Sequence, residues 1–543
     1  MRHTILVLAL LATGMAAHAQ TIVSGELTYR VTDGEELTLE VTAADSPYTQ
    51  GSVSVPMSVS HDGRTYLVTG IGDRAFADCR QLQSVALPQS VLNIGCGAFL
   101  RCTQLRSIKL PDHLMTVGDR AFAGCTALEK IDLPATAQTL GKYCFADCRA
   151  LAKAVVRSRM RTLPEGMFLN CWQLSDVRLP DVLTIGPSCF ERCTALTALS
   201  LPSTLRTIGR SAFSGCTALK SMPLPDGLTE IGREAFWGCG SLREVALPPM
   251  LRTVGYAAFA DCTSLRGMTL PPSVSDLGAW AFNRCSALRT CQLPDGLTSV
   301  PAAVLNKCSA LTEIVIPDKV VRTGYAAFAG CTAATRVSYG SSLKAIGDET
   351  FFDLDALTAT TLPETVDSIG RDAFENCSAL TFLSIPSSVT TIALNAFRDC
   401  LALKEVQAHM AEPCELPELG FADATFASAV LYVPDGKEQT YRSRQYWHKF
   451  KTIRPLSTSG IASAAGGELT VRAERLNVVV QGAQAGQTVA VYDAAGVLRC
   501  RHHADGGGRA VLPLTEGGVY IVKVGGDTFK KLLSSNVTHT ALP

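Results

Sequence analysis

The chain has 543 residues, too many for one compact core, so several domains or a repeat array are required. Its 49 basic and 49 acidic residues balance, and only 18% of positions are charged. No Lys/Arg run reaches the density that phosphate neutralisation or an anionic bilayer surface demands, so no nucleic acid partner is expected.

Arg2 and His3 precede an apolar stretch over 5–15, and Ala17-His18-Ala19 fits the small-x-small cleavage rule. Residues 1–19 are therefore expected to be an export signal, cut before Gln20. The apolar stretch is shorter than the ~20 residues a bilayer span needs, and no later segment qualifies, so no transmembrane segment is expected. The first cysteine is Cys79, which argues against a lipid anchor at the cleavage point. Residues 20–68 then alternate apolar and polar positions, as in LTYRVTDG (27–34), and read as a β-rich N-terminal cap.

From 69 to 408 an internal period dominates. IGDRAFADCRQLQSVALP (71–88) is followed by IGCGAFLRCTQLRSIKLP (94–111) and VGDRAFAGCTALEKIDLP (117–134). Central cysteines stand at 79, 102, 125, 148, 171, 193, 216, 239, 262, 285, 308, 331, 377 and 400. Leu354 fills the one skipped slot, which makes fifteen coils of about 23 residues. In each coil LxxIxLP (Leu105, Ile108, Leu110, Pro111) reads as a short strand with one buried face, closed by a proline that cannot donate to a ladder. Stacked coils would align these strands into a parallel sheet at about 4.8 Å spacing. The Ile-Gly pair suits a tight corner. AFxxC is expected to turn the chain back as a short helical turn with Ala, Phe and Cys inward. Phe occupies its slot in fourteen of fifteen coils, Leu305 being the exception, and predicts a stacked aromatic core.

Residues 409–455 leave the period and read as a C-terminal cap containing LYVP (431–434), Tyr441, Trp447 and Phe450. A Ser/Ala/Gly-rich linker (456–467) and a small β domain (468–543) follow.

The motif LxxIxLPxxVxxIGxxAFxxC resembles the BspA-like, or Treponema pallidum type, leucine-rich repeats of bacterial cell-surface proteins. The resemblance implies an α/β repeat solenoid with a parallel β-sheet face. VAVYDAAGVL and LPLTEGGVYIVKVGGDTFKKLL are similar to the type IX (Por) secretion sorting domain of certain Gram-negative bacteria. That second resemblance implies a C-terminal β-sandwich, engagement of the type IX secretion machinery and a secreted or cell-surface location. The chain departs from the pattern in running ten residues past Leu533 and in carrying Cys500.

Catalytic and cofactor chemistry is not expected. Fourteen of the twenty cysteines share one slot per coil, so parallel buried thiols are expected rather than disulfides. No CxxC pair, HExxH or phosphate-binding loop occurs. Within 69–408 the only histidine is His113, too little for a nucleophilic pair.

Binding residues are expected on the outward columns of the sheet. The most compact mixed-charge group there is Lys109, Lys130, Asp132, Asp176 and Arg178. Trp172, Trp237 and Trp280, each at a variable position, are a second candidate set, since exposed aromatics anchor interfaces. A surface adhesin or protein-interaction scaffold contacting host matrix or other cells is the leading expectation. Glycan or peptide capture for nutrient uptake is the alternative, and would gather aromatics and acids in one concave region.

Overall fold

The computed structural model describes residues 20–43, 48–458, 470–474, 477–481, 483, 486–493, 498–505, 509–513, 518–524 and 527–533. The expected export signal, most of the expected linker and residues 534–543 lie outside these. The chain divides into two compact units, 1–250 and 251–543.

In the first unit Thr21–Ser24, Leu27–Asp33 and Thr38–Thr42 form an antiparallel meander. Thr38–Thr42 then pairs in parallel with Arg64–Ile71, whose other edge pairs in parallel with Asn93–Ile94 at the start of the second coil. Arg64–Ile71 is thus shared by the cap and the repeat ladder, and Ile22, Tyr29, Leu39, Val41 and Val68 are buried in it. A second cap strand, Ser52–Ser54, pairs with Ser84–Ala86. The cap therefore closes both sheets of the first coil, which would otherwise expose unpaired edges.

Neighbouring coils are joined by up to three registers of backbone hydrogen bonds. The LxxIxLP strands form the first, as short parallel sheets such as Lys130–Leu133, Lys153–Val156 and Asp176–Arg178. The residue pairs before the conserved glycine form a second, running through Ile94, Val117 and Leu140, then Leu163, Ile185, Ile208 and Ile231. The third runs along the Phe–Cys corner, where Arg120, Phe122 and Gly124 donate to Lys142, Cys144 and Ala146 at 2.8 Å.

That third register explains why the corner is not the helical turn expected from AFxxC. Two residues per coil are left-handed there, such as Arg120 (φ 53°) and Gly124 (φ 75°), or Tyr143 (φ 57°) and Asp147 (φ 58°). They interrupt the helix and rotate alternate N–H groups toward the next coil. Left-handed backbone favours Gly, Asn and Asp, and the position before each cysteine is accordingly Asp78, Gly124, Asp147, Asn170 or Gly215 in much of the first unit.

Inside each coil the phenylalanines stack. From Phe76 to Phe236 the ring centroids lie 5.1–5.9 Å apart with interplanar angles of 2–24°. In the second unit Phe328, Phe351, Phe374, Phe397 and Phe421 continue the same pattern at 4.9–5.9 Å.

The cysteines are all free, and the column thiols point at carbonyls rather than at each other. Cys125 Sγ donates to Phe99 O at 3.2 Å, Cys148 to Phe122 O at 3.2 Å and Cys285 to Phe259 O at 3.1 Å, each in the preceding coil. The same phenylalanine carbonyl accepts the N–H of its own coil's cysteine, as in Cys125 N to Phe122 O at 3.2 Å. Cysteine suits this slot because it is small, apolar and a weak donor to an otherwise half-satisfied buried oxygen. Burial pushes these thiols up, Cys216 and Cys331 to about 12, and so keeps the proton that donates. Native protein is expected to leave the column unreactive toward a thiol reagent, and denaturant without reductant to release it. A denatured chain with few titratable thiols would mean that the column is oxidised.

In the second unit Phe382–Ile385 and Glu405–Ala408 are followed by Val430–Val433 and Thr452–Pro455 in one parallel sheet. Residues 409–455, expected outside the period, therefore form two further turns. Short helices, Asp423–Ser428 and Glu438–Ser443, replace the Phe–Cys corners. Phe421 stacks on Phe397 at 5.1 Å, and a cluster of Phe426, Tyr441, Trp447 and Phe450 terminates the core. Trp447 Nε1 donates to Cys414 O at 2.9 Å and Tyr441 Oη to Met410 O at 2.8 Å, which satisfies the polar ends of this buried plug.

The C-terminal region holds two antiparallel sheets. One contains Thr470–Glu474, Asn477–Gln481 and Ala510–Pro513. The other contains Leu498–His503, Thr488–Asp493, Gly518–Val524 and Asp527–Leu533. Val478, Val480, Val489, Val491, Leu512, Val522 and Val524 form their core.

This region touches the strand face of the second unit, where Arg501 pairs with Asp318 at 2.6 Å and Arg336 Nη2 lies 3.4 Å from His502 Nδ1. Burial, then the Arg336 charge, holds His502 below the usual imidazole range, with Glu313 opposing. His503 is lowered chiefly by burial, with Arg336 and Arg501 adding and Gly486 O and Asp318 opposing. Lowered imidazoles favour the docked state above their free value near ~6.5, and that preference is lost as pH falls below it. Small-angle scattering of the full chain is expected to show expansion between about pH 7 and 5. An unchanged radius across that range would exclude the histidines as determinants of the contact.

Candidate interaction face

Successive strand residues point alternately into the core and out to solvent. In the first unit this places Ile108, Ile131 and Ala154 inside and exposes Lys109, Lys130, Asp132, Asp176 and Arg178. Parallel pairing aligns Lys130 with Lys153 and then Asp176, and Asp132 with Val155 and then Arg178. The five charged candidates therefore share one face of the unit.

Two residues outside that set organise it. Lys153 Nζ pairs with Asp176 at 2.6 Å, and this bond holds the Asp176 carboxyl below the usual carboxylate range. Arg157 Nη2 pairs with Asp132 at 2.8 Å. Because Arg157 engages Asp132, Lys109 and Lys130 have no ion-pair partner among the described residues. Arg157 was missed because its coil breaks the motif. It occupies the slot of the strand-closing proline, seen at Pro111 and Pro134, so the position just after strand Lys153–Val156 carries a cation at the rim where neighbouring coils carry a ring.

The result is a groove of about 680 Å³. Its walls carry Lys109, Lys130, Lys153 and Arg157 against Asp112 and Asp132. Its floor is formed by Ile108, Leu110, Ile131, Pro134, Ala135 and Val155. Four cations face two acids over an apolar base. Such a surface is complementary to an extended segment bearing carboxylates and aliphatic side chains.

The three tryptophans are not brought together. Trp172, 42% exposed, lies in the turn after Cys171 with the Arg149 guanidinium 4.4 Å above its ring. Trp237, 45% exposed, directly follows the core Phe236. Trp280, in the second unit, is half-buried and occupies a left-handed corner position (φ 63°). Each thus takes a different slot of the coil, and none lines the charged groove.

Residues 69–197, 183–312 and 298–412 match the family described as the BspA type leucine rich repeat region. A leucine-rich repeat protein from Bacteroides ovatus has a similar solved structure, with 28% identity and a TM-score of 0.61, covering 76% of this chain and 99% of that one. A leucine rich cell surface protein from Faecalibacterium prausnitzii is similar at 24% identity and a TM-score of 0.45, covering 68% of this chain and 95% of the other. No curated protein matches the chain.

Proposed function

The chain belongs to the BspA type leucine-rich-repeat family, and from that premise we propose that it is a surface adhesin or interaction scaffold. It engages an acidic stretch of a protein on host matrix or on another cell. The observation that carries this is the groove over 107–157, in which Lys109 and Lys130 stand exposed and unpaired above an aliphatic floor. Aromatic stacking surfaces, which saccharide capture would need, are not among the residues lining that groove.

The expected address belongs to the same proposal. Cleavage after residue 19 would export the chain, and the sorting-like C-terminal region would hand it to type IX machinery for placement on a Gram-negative cell surface.

Labelled full chain should bind one or more immobilised matrix proteins. The paired substitution Lys109→Glu/Lys130→Glu should weaken that binding by on the order of tenfold, and added salt should weaken the wild type alike. Both residues are exposed, so the fold should tolerate the change. Binding that ignores both the pair and the salt, or no matrix protein retained at all, would refute the proposed face.

A further inference from the structure

We propose that a hollow on the Phe–Cys corner of the second unit, over residues 280–353, is a carbohydrate site for a neutral pyranose. It stands apart from the strand-face groove in the coil and does not depend on that assignment.

The hollow arises from the sequence register of the coils. In the slot after the core phenylalanine, successive coils place Asn283, Asn306, Ala329 and Phe352. In the following slot they place Arg284, Lys307, Gly330 and Asp353. Two slots before the core position stand Trp280, Ala303, Ala326 and Glu349. The coil at 324–331 thus offers only Ala326, Ala329 and Gly330, where the coils on either side place Asn306 and Lys307 or Glu349, Phe352 and Asp353. The missing side chains leave a depression of about 370 Å³, inside the roughly 300–1,000 Å³ range of small-molecule sites.

Its walls have the chemistry a sugar requires. Trp280 and Tyr325 present aromatic surface, Tyr325 being 51% exposed, and such rings pack against the C–H face of a pyranose. Glu349 accepts the Tyr325 hydroxyl at 2.9 Å, which orients both groups at the rim. Glu349 and Asp353 supply acceptors for hydroxyls, while Asn306 and Lys307 supply donors. At the floor Asn283 is 6% exposed, and its Oδ1 has no hydrogen-bond partner among the described residues. An unsatisfied buried amide oxygen is costly, and because this oxygen is itself fully covered, a ligand hydroxyl would offset that cost only by drawing the amide outward.

Charge selects the class of ligand. Arg284 is paired with Asp261 at 3.1 Å, which leaves Lys307 facing two acids, Glu349 and Asp353, so the hollow lacks the surplus of cations that marks the strand-face groove. A hydroxyl-rich ligand with one apolar face and no net charge fits these walls, and a sulfated or sialylated glycan does not.

The test is an array of neutral gluco-, manno-, galacto- and N-acetylglucosamine oligosaccharides beside sialylated and sulfated ones, probed with labelled full chain. Retention of a neutral oligosaccharide is expected, weakened by on the order of tenfold in Tyr325→Ala and in Trp280→Ala. Lys109→Glu/Lys130→Glu should leave that retention unchanged, which separates this site from the strand face. Should Trp280→Ala fold poorly, Tyr325→Ala decides alone, because that side chain is half outside the fold. No retention of neutral sugar, retention of acidic glycans only, or neutral retention untouched by these substitutions would overturn the assignment.

Discussion

Replacing Phe145 with alanine is expected to cost roughly 3–5 kcal/mol of stability, the range for deleting a buried aromatic side chain. The ring is fully buried and stacked on both faces, 5.3 Å from Phe122 and 5.9 Å from Phe168. Neighbouring coils cannot close the gap, because their spacing is held by three registers of backbone hydrogen bonds. Phe145 N itself donates to Met167 O at 3.0 Å, and Cys171 Sγ donates to Phe145 O at 3.2 Å. The cavity therefore persists rather than collapsing. In a repeat array the loss is local, so amide exchange should quicken first in the coils flanking 145 before the thermal midpoint falls. A loss under about 1 kcal/mol would show that the stacked column is not the core.

Gly278→Ala is expected to be as damaging, although it adds only one methyl group. A Cβ there would lie 2.3 Å from Tyr256 N and 2.4 Å from the Gly255 carbonyl carbon. Neither can withdraw, since Gly278 N is bonded to Val254 O at 2.7 Å and the obstruction is backbone. The glycine is thus required by the approach of the preceding coil. Relief requires the two coils to separate, breaking ladder bonds and opening the core between them, and a loss above about 4 kcal/mol or failure to fold is expected. Gly296→Ala is the matched control. A Cβ at 296 meets nothing within 4 Å, and a near-neutral effect is expected there. Equal effects at the two positions in a denaturant titration would refute the close-approach explanation.

Much of this was legible before any coordinates. Strict recurrence of Phe and Cys can only arise if each coil presents the same faces to its neighbours, and the buried columns follow from it. The corner was less legible, because AFxxC spacing is compatible with a helix, and only the enrichment of Gly, Asn and Asp before the cysteine hints at left-handed backbone. The last two turns escaped because their strands are 25 and 22 residues apart and lack the Ile-Gly, Ala-Phe and Cys signals. Pro434 does sit where the strand-closing prolines stand, whereas Pro455 aligns with Val433 one position earlier, inside its strand.

For the candidate sites the division is sharper. Alternation along a strand sufficed to put Lys109, Lys130, Asp132, Asp176 and Arg178 on one outward face, because side-chain direction there is a period-two property of the chain itself. Pairing is not such a property. That Arg157 draws Asp132 away and leaves two lysines uncompensated depends on distances between coils. Likewise, Trp280 is one variable residue among many in the sequence. It becomes part of a hollow only when stacking places Ala326, Ala329 and Gly330 two coils along, with Asn306 and Lys307 between. The sequence by itself determined the repeat, its inside and its outside, since these follow from residue chemistry at a fixed period. Tertiary structure decided which charges are spent on one another and where small side chains on adjacent coils leave room for a ligand, since both arise only between residues about 23 positions apart.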